Sequence, residues 1–519
     1  MWLKAAVSSV AVAALSLSVG VFTAAAEELG NIDTTKTGSI TLHKHTYEGN
    51  DQTSKQRPDG SSADLANPVE GAVFTAYTLD LDLTDNDDWD TLSKLSVDSA
   101  VCDSLPPTTV DGVAVTGSHV FTATDEDGIT TMSAVPLGAY LICETSSPAS
   151  SIDKAAPFVI SVPFPDNIAD DPGATNTWLY DVHAYPKNAL TQIDKTVLEQ
   201  GDLGLGSKVS FPVTAKIPQI GDNATFKQFE IRDTLDSKLG SVAIDSVQLV
   251  AADGTKTAVG TTNYTPSISG NDARVVFNAD GFAWLKTQAG ASIEVIFSGV
   301  VTSLGTDGVV TNQAFLHAGT SVSDNEGIPT PEVKQNWGDV VIKKVDDRNS
   351  AAPLKDAKFE VYEAASPYPN AEGDCAPTPL TGSDPVSVLV GGTATTEFAT
   401  GDDGVVTIPG LFVSDSENDV VNATFRCYVV KETQAPAGFV TPTGDAALHA
   451  VAVKTGVNAA GVIDLTVVNS KTTVPELPLT GSAGTILIIL AGTALIGGSI
   501  FLMVRNQQKV AKESTTDSE

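Results

Sequence analysis

Gly338-Asp339-Val340-Val341-Ile342-Lys343-Lys344 reads as a β-strand, and it echoes Gly38-Ser39-Ile40-Thr41-Leu42-His43-Lys44 near the other end of the chain. A second pair of runs matches in the same order. Tyr140-Leu141-Ile142-Cys143-Glu144-Thr145-Ser146-Ser147-Pro148 is repeated as Tyr428-Val429-Val430-Lys431-Glu432-Thr433-Gln434-Ala435-Pro436. Two strands that open and nearly close one unit therefore recur in another. Between them lie short alternating runs broken by Gly, Pro, Asn and Asp, a pattern that predicts all-β, antiparallel sandwiches. A chain of 519 residues is too long for one core. The repeats divide it into an N-terminal domain over 27–188, a middle domain over 189–330 and a C-terminal domain over 331–471.

The two ends carry targeting information. Lys4, the apolar or small run Ala5 to Val21 and Ala24-Ala25-Ala26 read as an export signal over 1–26, with Glu27 as the mature start. Ser482 to Val504 lacks any charge and is long enough to span a bilayer as a helix, at about 1.5 Å per residue against roughly 30 Å. Arg505, Lys509 and Lys512 follow in a basic tail over 505–519. Leu477-Pro478-Leu479-Thr480-Gly481 closes an extended stalk over 472–481 just before the span. Pentapeptide, apolar span and basic tail, in that order, resemble a cell-wall sorting signal cut by a sortase between Thr480 and Gly481. The formal net charge of −34 opposes binding to nucleic acid or anionic lipid. Four cysteines in an exported chain suggest two disulfides. Of the three connectivities, pairing within a domain, Cys102 with Cys143 and Cys375 with Cys427, is the simplest.

Alternation along strands identifies polar residues that face a core. In the middle domain Asp233 shares a face with Phe229, Ile231 and Leu235; Asn312 with Val310, Ala314 and Leu316; Lys195 with Ile193 and Val197. In the C-terminal domain Lys344 shares a face with Val340 and Ile342, Glu432 with Tyr428 and Val430, and Asn469 with Leu465 and Val467. Val341 and Val345 give Lys343 an apolar face as well, so that register stays open. A buried charge must pair or neutralise. One outcome is a buried ion pair beside a hydrogen-bonded Asn. The other is an amide: burial favours a neutral lysine and a protonated acid, and the amine then attacks the Asn carboxamide and releases ammonia.

Two longer motifs carry a family resemblance. Tyr428, Glu432, Thr433, Pro436 and Gly438 resemble the E-box of pilins, Y-x-L-x-E-T-x-A-P-x-G-Y, departing at Val430 and Phe439. Trp178, Val182, Tyr185, Pro186, Lys187 and Asn188 resemble the pilin motif, W-x-x-x-V-x-V-Y-P-K-N, departing at Ala184. The chain thus resembles the major shaft pilins of Gram-positive sortase-assembled pili, the SpaA-like group of actinobacteria, with three tandem immunoglobulin-like domains of Cna B and related type. The resemblance implies internal Lys344–Asn469 and Lys195–Asn312 bonds, promoted by Glu432 and Asp233. It also implies an intermolecular amide between Lys187 of one copy and Thr480 of another. The first domain has Lys44 and Glu144, but an Asn only if Asn188 serves.

The implied partners are further copies of the chain, pilus-specific and housekeeping sortases, peptidoglycan, a tip pilin, and receptors on host or partner cells. The competing reading is a wall-anchored adhesin that does not polymerise. An enzyme finds no support: G-x-S-x-G, H-E-x-x-H and phosphate-binding glycine loops are missing. No cofactor or metal is expected, and His43 with His45 reads as an outward alternating pair.

Overall fold

The computed structural model describes residues 32–50, 56–62, 65–167, 177–321, 327–418, 420–471 and 496–505. The export signal, the pentapeptide 477–481 and the tail beyond Arg505 lie outside the described residues, as does most of the apolar span. Residues 496–505 are helical, and among the described residues no helix is long and apolar enough to cross a membrane.

Three β-sandwich units follow one another. In the first, a sheet of Asp181–Ala184, Gly38–His43 and Ile129–Val135 faces a five-stranded sheet centred on Val73–Leu79 and Gly138–Ser146. Ile40, Leu42, Phe74, Tyr140, Ile142 and Val182 fill the space between them. In the second, two five-stranded sheets enclose Phe211, Val213, Phe229, Ile231, Val295 and Phe297. In the third, a sheet around the long strand Val333–Asp346 faces one built from Lys358–Glu363, Phe425–Gln434 and Leu448–Lys454.

Alternation explains where the disulfides sit. Tyr140 and Ile142 point inward, so Leu141 and Cys143 point outward, where Cys102 joins Cys143 beneath the cover of Leu92 and Leu95. Tyr428 and Val430 point inward in the third unit, and Cys427 joins Cys375 on the outer face beside Ala364 and Val429.

The joints between units differ in kind. Val333–Asp346 pairs with Val309–Asn312 at its start and with Val405–Asp415 and Leu465–Asn469 further on, so one strand belongs to both the second and third units. Leu203 and Leu205 extend this seam: their carbonyls accept the N–H groups of Phe412 and Leu389 at 2.8 and 2.7 Å. One continuous cluster of buried side chains runs through both units. At the first joint Ile152 and Tyr47 pack on the same cluster, and polar contacts surround them, with Lys216 Nζ donating to both carboxylate oxygens of Glu48 at 3.0 and 2.9 Å and Thr320 Oγ1 to Asp153 at 2.6 Å.

One local expectation is corrected. The strand Gly38–His43 breaks at Lys44 before His45–Thr46 begins, so the alternation across His43 and His45 is lost. His45 is buried with Nδ1 3.2 Å from the Ala66 carbonyl, while His43 Nε2 meets His183 Nδ1 at 2.8 Å.

The glycines that open the repeated strands are matched in structure. A Cβ on Gly38 would lie 2.2 Å from the Tyr180 carbonyl oxygen, and one on Gly338 would lie 1.8 Å from that of Lys454. Backbone packs directly on backbone at both places. Gly338→Ala should therefore destabilise the third unit by about 1–3 kcal/mol, as overpacking does. Urea unfolding of the chain in a Lys344→Ala background, where no cross-link can mask the loss, measures it.

Candidate functional site

Three clusters of Lys, acid and Asn sit in the three cores. In the third unit Lys344 Nζ donates to Glu432 Oε2 at 2.7 Å and to Asn469 Oδ1 at 2.6 Å, and Asn469 Nδ2 donates to Glu432 Oε1 at 2.8 Å. Lys344 is fully buried and Lys343 is not, which settles the register. The first unit repeats the arrangement. Lys44 Nζ donates to Glu144 Oε2 at 2.9 Å and to Asn188 Oδ1, and Asn188 Nδ2 donates to Glu144 Oε1 at 2.8 Å. Asn188, conditional in the sequence, is fully buried in this cluster.

Strand register produces both clusters. Asn188 pairs with Thr46 and Asn469 with Asp346, each in a parallel ladder and each two residues beyond the lysine. The acid comes from the opposite sheet, where Glu144 pairs with Phe74 and Glu432 with Phe359. Those same rings lie beneath the ammonium groups, 5.4 Å from Lys44 Nζ and 5.9 Å from Lys344 Nζ. A glycine hairpin fixes each lysine backbone: Lys44 N–H donates to Gly128 O at 2.7 Å and Lys344 N–H to Gly404 O at 2.8 Å. Both glycines have positive φ, and a Cβ on Gly128 would lie 2.3 Å from the Lys44 carbonyl oxygen.

The second unit reaches a similar chemistry by another topology. Lys195 lies on an edge strand antiparallel to Lys208–Lys216, with Phe211 5.0 Å from its Nζ. Lys195 Nζ donates to Asp233 Oδ2, and Asn312 Nδ2 donates to the same oxygen at 3.2 Å. Asp233 Oδ1 and Asn312 Oδ1 are buried without a hydrogen-bond partner. A signal in the sequence ties this acid to Glu432. Asn223-Ala224-Thr225-Phe226 and Asn422-Ala423-Thr424-Phe425 each begin ten residues before the acid.

Burial dominates the electrostatics. It lowers Lys44 and Lys195 to about 8, against the pull of Glu144 and Asp233, and it lowers Lys344 too. It also raises Asp233, outweighing Lys195. Glu144 departs from the expected rise. Burial pushes it up, but Lys44, a 2.6 Å bond from Ser147 Oγ and a 2.8 Å bond from the Ala155 N–H bring it below the ordinary carboxylate value. A lysine brought toward neutrality, an acid bonded to it and a carboxamide beside them are the components of an amide condensation. In such a condensation the lysine proton would pass to the acid, the amine would attack Cγ of the Asn, the acid would return a proton to the departing nitrogen, and ammonia would leave.

A further feature adjoins the first cluster. Lys187 and Asn188 are neighbours on the strand Lys187–Leu190 and project to opposite sides. Asn188 enters the core, whereas Lys187 lines a surface groove of about 530 Å³ with Tyr47, Pro58, Phe158, Phe164 and Tyr185. Val182 and Pro186 are buried and anchor the segment, Tyr185 stacks on His43 at 4.7 Å, and Trp178 packs against Trp89 at 5.3 Å. In the third unit Tyr428 is fully buried and donates to the Phe412 carbonyl at 2.5 Å. Thr433 Oγ1 donates to the Lys358 carbonyl at 3.3 Å, Pro436 is buried, and Gly438 turns at a φ of 88°. Leu477 to Gly481 fall outside the described residues.

Comparisons agree with this layout. Residues 35–189 match a family model described as Gram-positive pilin subunit D1, N-terminal domain; residues 338–462 match a prealbumin-like fold domain; residues 469–509 match an LPXTG cell wall anchor motif. Fimbrial subunit type 2 of Actinomyces naeslundii is 35% identical over 497 residues, covering 90% of this chain and 89% of that one. Fimbrial subunit type 1 of Actinomyces viscosus is 28% identical, covering 98% of each. Among solved structures, the full-length major pilin SpaD from Corynebacterium diphtheriae superposes with a TM-score of 0.64 at 27% identity, over 86% of this chain and 99% of that one.

If all three clusters condense, the intact mass of residues 27–480 should fall short of the sequence mass by three steps of about 17 Da, one ammonia each. Lys44→Ala, Lys195→Ala and Lys344→Ala should each restore one step. A wild-type mass with no deficit would leave only buried ion pairs.

Proposed function

The chain belongs to the family of Gram-positive fimbrial subunits, and from that premise we propose that it is the shaft subunit of its pilus, joined head to tail through Lys187 and Thr480. It is a surface protein anchored to the cell wall and a subunit of a sortase-polymerised pilus. In the proposed linkage a sortase cleaves the Thr480–Gly481 bond and holds the Thr480 carbonyl as a thioester. The Lys187 amine of another copy attacks that carbonyl, the enzyme thiolate leaves, and an amide remains. Each copy uses a different surface as donor and acceptor, so the contact does not close and a filament grows.

One observation carries this reading. Lys187 lines a groove on the strand whose next residue, Asn188, is locked into the core cluster with Lys44 and Glu144. The nucleophile is thereby carried on backbone that cannot shift without disturbing a buried network, which is the preorganisation that acyl transfer between two large partners needs. The internal amides in each unit belong to the same proposal, since a covalent filament is only as durable as the domains between its links.

Replacing Lys187 by Ala should abolish the high-mass ladder in cell-wall extracts boiled in detergent and leave one monomeric band at the wall. Lys195→Ala should leave the ladder in place while making it more sensitive to protease. A full ladder from the Lys187 variant would turn the reading into an anchored protein that polymerises elsewhere or not at all through this groove.

A further inference from the structure

His449 lies on the strand Leu448–Lys454, directly opposite Val430 of the strand that carries Glu432. Val451 and Val453, on its own face, are buried in the core, so the imidazole projects toward the same interior. It is the diagonal cross-strand neighbour of Glu432, a relation that spans about 7–8 Å between backbones and that long side chains bridge. Its Nε2 is buried and has no hydrogen-bond partner. The equivalent place in the first unit, opposite Ile142 and two residues before Glu144, is Phe158. In the second unit Val275 and Leu316 flank Ile231, two residues before Asp233. Among the described residues, only the third cluster therefore has an imidazole at this place beside its acid.

We propose that His449 is a positioning residue that makes formation of the Lys344–Asn469 bond depend on pH. The inference rests on the internal cross-link reading above. While His449 is neutral, Glu432 is free to take the proton that Lys344 Nζ must lose before it attacks Cγ of Asn469. An imidazolium in the same place would hold Glu432 as a carboxylate and keep that proton on the lysine. The reaction itself is unchanged: the amide forms, ammonia leaves, and every proton moves within the cluster. Only the availability of Glu432 as the acceptor alters.

The surroundings favour a ring that is neutral at neutral pH and charges on acidification. Burial and then Lys344 lower His449 from its ordinary value, and Glu432 opposes them. Those two are the charged groups that act on it from the neighbouring strands. Further along the same face, Arg426 sits opposite Val453 and is engaged by Glu363. Lys431 and Lys454 project from the other faces of their strands, and Asp445 in the turn Gly444–Ala447 is exposed.

The test follows the cross-links as they form. Chain 27–480 is synthesised directly into denaturant and refolded in oxidising buffer at about pH 5 and about pH 7.5, on either side of the histidine range. Mass spectrometry of proteolytic peptides then times each bond separately. In the wild type, the Lys344–Asn469 bond should form on the order of five- to tenfold more slowly at the lower pH, relative to the Lys44–Asn188 bond of the same molecules. His449→Phe, the first unit's choice, should flatten that ratio, and His449→Gln, polar without a titrating ring, should do the same. An unchanged ratio in both variants would overturn the role of His449. Failure of the wild type to form the third bond at any pH would instead remove the cross-link reading on which it stands.

Discussion

A lysine amine enclosed in each sandwich is the constraint on which the rest of the molecule turns. Removing an ammonium and a carboxylate from water costs several kcal/mol for each ion, and their mutual attraction recovers this only in good geometry. All three cores supply that geometry with the same minimal set: an acid across the sandwich, a carboxamide alongside, an aromatic ring beneath. An ion pair alone would leave each core dependent on two charges whose replacement by apolar groups is often no less stable. Condensation would remove the charges and leave a neutral amide, and the burial that is a liability for the ion pair would become the driving condition for the bond.

The three clusters are not equally prepared. In the second unit burial moves both partners toward their neutral forms, lysine downward and Asp233 upward. In the first unit Ser147 and the Ala155 N–H add hydrogen bonds to Glu144 and hold it toward the carboxylate. The same three-residue chemistry is therefore biased by what else donates to the acid. Ser147 lies in the segment that follows the strand Gly138–Ser146, whereas in the third unit the matching segment turns through Pro436 and Gly438. In the first unit, residues outside the triad thus bias the acid toward its charged form.

The sandwich architecture and five of the six residues in the second and third clusters were legible because long strands alternate, and alternation sorts side chains to faces. Lys344 was ambiguous because its strand is buried along most of its length, with Val341 and Val345 buried as well as Val340 and Ile342. Asn188 resisted for the opposite reason. Its strand is four residues long and follows a proline, too short for any periodicity, and its inward direction comes from a parallel pairing with His45–Thr46 at the far end of the unit. Parallel pairing of first and last strands is a long-range contact with no local signature. His45 failed similarly, since a break at Lys44 resets the alternation where the chain bends to present the lysine.

The two joints complete the argument by showing where tension would travel. If load enters at Lys187 and leaves beyond Asn469, cross-links at Lys195–Asn312 and Lys344–Asn469 divert it past the bodies of the second and third units. The backbone left to carry it between those bonds runs from 312 to 344. Much of that stretch is the strand Val333–Asp346, which is laced to Val309–Asn312 on one side of the joint and to Val405–Asp415 on the other. The loop around Leu203–Leu205 hydrogen-bonds into the third unit beside it. The first joint is held differently, by the Lys216–Glu48 ion pair, the Thr320–Asp153 hydrogen bond and the packing of Ile152 and Tyr47 against the core of the second unit. On the proposed linkage, tension would pass from Lys187 along 188–195 into the second unit, so contacts between the bodies of the first two units would carry little of it.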